Sequence, residues 1–148
     1  MRPIGTHLLG RRLYETMAHW DGPPEGYPPQ HHEFARVWQK AEQIVFSRTL
    51  TDAPTRIARI ERAFDPQATR QLKRESEHDI FIGGAELAGA ALEADLVDEC
   101  HLFVHPVVVG GGKRAFQAAL RLDLELLETR RFGTGAVHLR YHVRGATP

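Results

Sequence analysis

The chain has 148 residues, with 19 lysines and arginines against 19 aspartates and glutamates, and a single cysteine. That length suits one domain with a buried core, and the balanced charge excludes nucleic acid or an anionic membrane surface as a general partner. Cys100 alone cannot form an internal disulfide, and no segment is apolar for long enough to be a signal peptide or a membrane span; a single domain over residues 1–148, soluble and cytoplasmic, is expected.

Thr6 to Leu9 read as a short strand ending at Gly10, and Arg11 to Ala18 follow with Leu13 and Met17 on one helical face. Four prolines and two glycines between Asp21 and Pro29 predict an exposed loop. His31 to Lys40 returns to helical spacing, with Phe34 and Trp38 four apart and Ala35 beside them. Gln43 to Phe46 reads as a strand that stops at Ser47-Arg48-Thr49-Leu50, and Thr55 to Ile60 alternate as a second short strand. Asp65-Pro66 is the N-cap and first-turn pair that opens a helix, whose inner face continues through Ala68 and Leu72. Asp79 to Ile82 form a strand, Gly83-Gly84 a junction, and Ala85 opens a helix closed by Asp95-Leu96-Val97-Asp98. Glu99 to Val109, apolar on both faces apart from its histidines, predicts a long central strand covered on two sides and ended by Gly110-Gly111-Gly112. Leu122 to Glu128 and Val137 to Val143 alternate around Phe132-Gly133-Thr134-Gly135, a hairpin signal. The sum is an α/β, three-layer architecture with a mostly parallel sheet and an antiparallel C-terminal hairpin.

The chemistry concentrates at three strand ends. Gly83 and Gly84 let the backbone turn sharply and approach a ligand, and the helix they open offers N–H groups without internal partners to an anion. Gly10-Arg11-Arg12 and Ser47-Arg48-Thr49 supply arginines that can grip a phosphate or stack on an adenine, and hydroxyls as neutral donors. In an open α/β sheet this is the ligand-binding edge. Each junction taken singly is satisfied by a mere turn or a solvated arginine; together they favour a groove for a dinucleotide carrying an extra ribose phosphate.

At these residues the sequence resembles the dihydrofolate reductase-like superfamily, and most closely its riboflavin biosynthesis reductase branch. The matching pieces are Leu8-Leu9-Gly10-Arg11-Arg12-Leu13-Tyr14-Glu15, Ser47-Arg48-Thr49-Leu50, Ile82-Gly83-Gly84-Ala85-Glu86-Leu87, and Leu96-Val97-Asp98-Glu99 followed by Pro106-Val107-Val108-Val109-Gly110-Gly111-Gly112 and Phe116. The resemblance implies a homodimeric oxidoreductase that uses NADPH on a pterin-like or aminopyrimidine-like small molecule. It places Gly10, Arg11, Arg12 and the backbone of Leu13 along one side of the cofactor's phosphates, and Gly83, Gly84, Ala85, Glu86 and Leu87 around its pyrophosphate. Ser47, Arg48 and Thr49 would meet the adenosine ribose and its 2′-phosphate.

Two departures bear on activity. The superfamily carries an additional first strand and a substrate-facing loop ahead of the segment that starts here at Thr6, so no catalytic residue is carried over, and a non-catalytic nucleotide-binding or dimerisation module stands as the alternative. The strands Asp79 to Ile82 and Glu99 to Val107 would flank the missing one. Leu13 stands where the family commonly has threonine, which removes a hydroxyl donor and predicts weaker cofactor binding.

Nine histidines invite a metal hypothesis. His101 and His105, like His138 and His142, are four apart on predicted strands, roughly 13 Å and too far to share an ion, and the adjacent His31 and His32 diverge. No metal site is assigned, although two strands could bring histidines together. His101 and His105 alternate with Phe103 and could serve as a proton donor, but a hydrogen bond within the sheet is the plainer role. Asp98 and Glu99 are expected to cap the turn between helix and strand, Cys100 to be a buried structural thiol, and Gly110 to Gly112 with Lys113 and Arg114 to form a flexible turn or a second anion site.

Overall fold

The computed structural model describes residues 3–52, 58–116 and 120–146. They group into two compact units, Met1–Ala88 and Gly89–Pro148. In chain order the elements are β1 (Ile4–Gly10), α1 (Arg11–Met17), a 3-10 turn (Ala18–Asp21), α2 (Pro29–Lys40), β2 (Glu42–Phe46), β3 (Ala58–Glu61), α3 (Pro66–Glu75), β4 (Asp79–Gly83), α4 (Ala85–Glu93), β5 (Glu99–Val104), β6 (Leu122–Arg131) and β7 (Val137–Ala146).

The first unit is a four-stranded parallel sheet in the order β3-β2-β1-β4. Alternation along β1 sends successive side chains to opposite faces. Leu9 joins Tyr14, Trp38 and Val45 beneath α1 and α2, while Leu8 joins Ile44 and Leu87, with Leu72 of α3 packed beside them. Helices therefore cover both faces, and this unit alone is three-layered. The start of α3 is as expected, the Asp65 carboxylate accepting from the Gln67 and Ala68 N–H groups at 2.8 and 3.3 Å, whereas α2 starts two residues before His31, with Pro29, expected in the loop, in its first turn. Of the expected α2 face, Trp38 is buried at 2 % exposure, whereas Phe34 remains 43 % exposed and leans edge-on against Trp20. Residues 55–57 of the expected second short strand lie outside the described residues; its remainder is β3.

The second unit is a three-stranded antiparallel ladder, β5-β7-β6. The expected hairpin is present, with Phe132 N–H donating to the Ala136 carbonyl at 2.9 Å and Gly135 at φ +85°. Leu127 sits at a register shift between Leu126 and Glu128.

Two expectations need correction here. The long central strand to Val109 stops at Val104, because Pro106 has no N–H for a ladder and Val107 N–H turns back to the His105 carbonyl at 2.8 Å. Nor is β5 covered on both faces: among the described residues it is a ladder edge paired only with β7, and Phe103, Val104 and Val107 to Val109 are largely exposed. The segment Asp95–Asp98 closes α4 as expected: the helix ends at Glu93, Asp95 adopts a left-handed φ of +54°, and Leu96 N–H donates back to the Ala91 carbonyl at 3.0 Å. β4 is likewise an edge, paired only with β1 among the described residues.

Candidate functional site

Parallel pairing sets β2, β1 and β4 side by side in register, with Gly10 opposite Phe46 and Leu9 opposite Gly83. The three junctions that follow therefore converge at one edge of the first unit. A Cβ built on Gly84 would lie 3.5 Å from both Cα and N of Gly10, so the two junctions meet backbone to backbone. Gly84 has φ +103°, a conformation that L side chains resist. Gly83 has no room for a side chain, since a Cβ there would run into Leu13 Cδ2 and the Phe81 ring. Leu13 thus packs its side chain inward beneath Gly83. Beyond Gly84, α4 begins at Ala85 with Glu86 exposed and Leu87 buried in the core, and its first N–H groups have no acceptor within the helix.

Arg11 ties the first junction to the second. Its Nε lies 2.7 Å from Glu15 Oε1, and its Nη1 donates to Thr49 Oγ1 at 2.6 Å. Part of its charge is thereby balanced by Glu15, while Arg12 and Arg48 are exposed. Ser47 is buried at 7 % exposure, and its Oγ accepts from the N–H groups of Thr49 and Leu50 at 3.3 and 3.0 Å. It builds the turn from within; Arg48 and Thr49 stand on its outside. Arg62 Nη1 donates to the carbonyls of Ser47 and Leu50 at 3.1 and 2.6 Å and closes the turn from the other side. A cleft of about 220 Å³ opens beside Phe46, between Arg59 and Glu61 of β3 and Ala68 and Leu72 of α3. A larger one, about 700 Å³, lies against α2 near Tyr27, His32 and Arg36 and contains none of the junction residues.

Sequence reasoning missed Glu15 and Arg62. The i, i+4 spacing from Arg11 would have found the first. Nothing local marks the second, which depends on β3 pairing with β2. It also missed a polar pair in the core: His7 and Gln43 are register partners on β1 and β2, 7 % and 0 % exposed, and His7 Nδ1 and both Gln43 amide atoms have no protein partner among the described residues. Burial against Trp38 and Phe81 brings the His7 pKa down to about 4.

In the second unit Glu99 does not cap a turn. Its carboxylate is held by Arg140 Nε and Nη2 at 2.8 and 2.7 Å, which keeps it below the usual carboxylate range. His101 is hydrogen-bonded within the ladder, Nδ1 to His138 Nε2 at 3.0 Å, the plainer of the two roles expected for it. Burial pushes the Cys100 thiol up, away from a nucleophile. Gly110 to Gly112, Lys113 and Arg114 form an exposed segment. Among the described residues no group of three or more His, Cys, Asp and Glu could hold a metal ion, and no helix is long and apolar enough to cross a membrane.

A parallel sheet ending in glycine junctions beside arginines, with a separate antiparallel ladder, is the architecture of the reductase-like fold expected above. The profile of the RibD C-terminal domain matches residues 4–138, and the chain belongs to that family. Two proteins of Bacillus subtilis strain 168, YyaP and YwjB, both described only as uncharacterized, are 31 % and 40 % identical to it; the matches cover 98 % and 93 % of this chain and 77 % and 73 % of theirs. A Shewanella protein assigned to riboflavin biosynthesis has the same fold, with a TM-score of 0.72 at 17 % identity over 95 % of this chain and 75 % of that one. A pyrimidine reductase-like protein of Corynebacterium diphtheriae gives 0.53 at 16 % identity over 95 % and 76 % of the two chains. RibD of Acinetobacter baumannii gives 0.58 at 17 %, over 95 % of this chain and 47 % of its own length.

Proposed function

We propose that this chain is an NADPH-dependent reductase of a pterin-like or aminopyrimidine-like small molecule, the aminouracil with a phosphorylated sugar from riboflavin biosynthesis being the first substrate to test. The observation that carries this reading is the contact of Gly10 with Gly84 at the mouth of α4, where bare backbone meets bare backbone beside exposed arginines.

The residues present suit the cofactor. A pyrophosphate needs a surface without Cβ atoms and with outward N–H groups; Gly10 and Gly84 would supply the first, and the backbone from Gly83 to Leu87, where α4 opens, the second. Arg12 would add charge on one flank, and Arg11, fixed by Glu15 and Thr49, would hold the first two junctions at a set distance. Arg48 and Thr49, on the outside of a turn that Ser47 builds, would take the ribose and its 2′-phosphate and so prefer NADPH to NADH. When bound, the nicotinamide supplies a hydride to an electrophilic carbon of the substrate. The protein's share is orientation: binding energy along the adenosine half fixes where the reactive ring lies. The working unit is proposed to be a homodimer.

Fluorescence titration with NADPH and NADH, followed by NADPH oxidation in the presence of the aminouracil substrate, tests the reading. Preference for NADPH together with turnover supports it. Tight NADPH binding without turnover on either substrate class selects the non-catalytic nucleotide-binding module, and absence of nucleotide affinity reduces the glycines to turns.

A further inference from the structure

We propose that His101 and His138 form a surface site for a borderline transition-metal ion, bound through His101 Nδ1 and His138 Nε2 with water completing its shell. Antiparallel pairing sets Phe103 opposite His138 and Arg140 opposite His101, so the two histidines are diagonal neighbours on one face of the ladder. Their facing nitrogens are 3.0 Å apart, with ring centroids at 5.2 Å and planes within 18°. The rings thus meet nearly edge to edge, each aiming a nitrogen at the other, with room for one proton between them.

That spacing is close to what a metal requires. Two imidazole nitrogens on a tetrahedral zinc ion, each about 2.0 Å from it, stand about 3.3 Å apart. To exchange the shared proton for an ion, the nitrogens part by a few tenths of an ångström and both rings swing so that their lone pairs converge off the line that now joins them. The surroundings are those of a metal-binding imidazole: His101 Nε2 faces Glu99 Oε2 at 3.4 Å, the carboxylate partner that fixes the tautomer and orientation of a ligating histidine. Glu99 is itself clamped by Arg140, and the Phe103 ring lies along His138 at 4.6 Å. The His101 side chain is 32 % exposed, so solvent reaches the site.

Charge around the pair is nearly balanced. Arg140 is neutralised by Glu99, with Glu128 3.8 Å away, and Arg130, opposite His138 on β6, turns its guanidinium over the Phe132 ring. His142 faces the Asp98 carbonyl, and Glu125 is taken by Arg144. Two neutral imidazoles without a thiolate select Cu²⁺, Ni²⁺ or Zn²⁺ over Mg²⁺ or Ca²⁺, with Cu²⁺ the tightest.

The full chain, tag-free and stripped with a chelator, is titrated calorimetrically with Zn²⁺ and Cu²⁺ at neutral pH. His101→Gln and His138→Gln are each expected to weaken the tightest site about tenfold or more, Glu99→Gln to weaken it less with stoichiometry unchanged, and His142→Gln to leave it intact. Unchanged affinity in either of the first two variants, folded by circular dichroism, overturns the proposal. In the unmodified chain, Cu²⁺ is expected to broaden the ring-proton NMR signals of His101 and His138 first; broadening that begins at other histidines overturns it independently of any variant's folding.

Discussion

The parallel sheet and the antiparallel ladder use their surfaces in opposite ways. In the first, helices cover both faces and Leu8 and Leu9 are buried on opposite sides of one strand; the candidate cofactor site lies at the strand ends. In the second, β5 and β6 carry exposed Phe103, Leu126 and Leu127, and the notable chemistry lies on a face, where side chains from neighbouring strands meet: Glu99 with Arg140, His101 with His138, Glu125 with Arg144. Covering a sheet's faces moves function to its edge, and leaving one open lets cross-strand pairs take it up.

The sharpest test of this contrast is truncation. Trp38→Ala, in the first unit's core, is expected to cost about 3–5 kcal/mol in urea unfolding, and Leu126→Ala, 53 % exposed, less than about 1 kcal/mol. Equal losses would erase the distinction. Next comes pH. His7 is about 4 in the folded chain against an ordinary 6.5, so its neutral form is the folded one. Stability is fully present above pH 6.5, falls toward pH 4 as the unfolded chain takes up a proton that the folded chain refuses, and then levels; the loss is about 3 kcal/mol. In His7→Leu the unfolding free energy should lose that slope relative to wild type.

Gly84→Ala forces a side chain into a left-handed backbone and should cost about 1–2 kcal/mol while weakening NADPH binding; an unchanged titration would remove Gly84 from the cofactor site. The smallest effect is expected on the ladder face: Arg140→Gln should cost about 1 kcal/mol or less and return Glu99 to the ordinary carboxylate range, read from its side-chain NMR titration.

Features set by neighbours in sequence were legible. Asp65-Pro66 announces a helix by local capping, Gly83-Gly84 a junction, and Gly133 to Gly135 a hairpin, each without tertiary information. Running Glu99 through Val109 as one strand went wrong because hydropathy continues across Pro106 while hydrogen bonding cannot. Whether that strand was central or at an edge could not be read either, since apolar residues look the same covered or exposed. The partners of His7, Arg62 and His101 depend on strand register, and no spacing within one strand reveals a contact between two.

Arg62 carries one more consequence, for rates. By occupying the Ser47 and Leu50 carbonyls it holds the turn in one shape before any ligand arrives. On the cofactor reading proposed above, capture would then need no prior rearrangement and would run near the speed of encounter. In Arg62→Met the turn would have to find its shape during each encounter, and stopped-flow traces should show slower association of NADPH even though Arg62 lies behind the turn, on the carbonyl side.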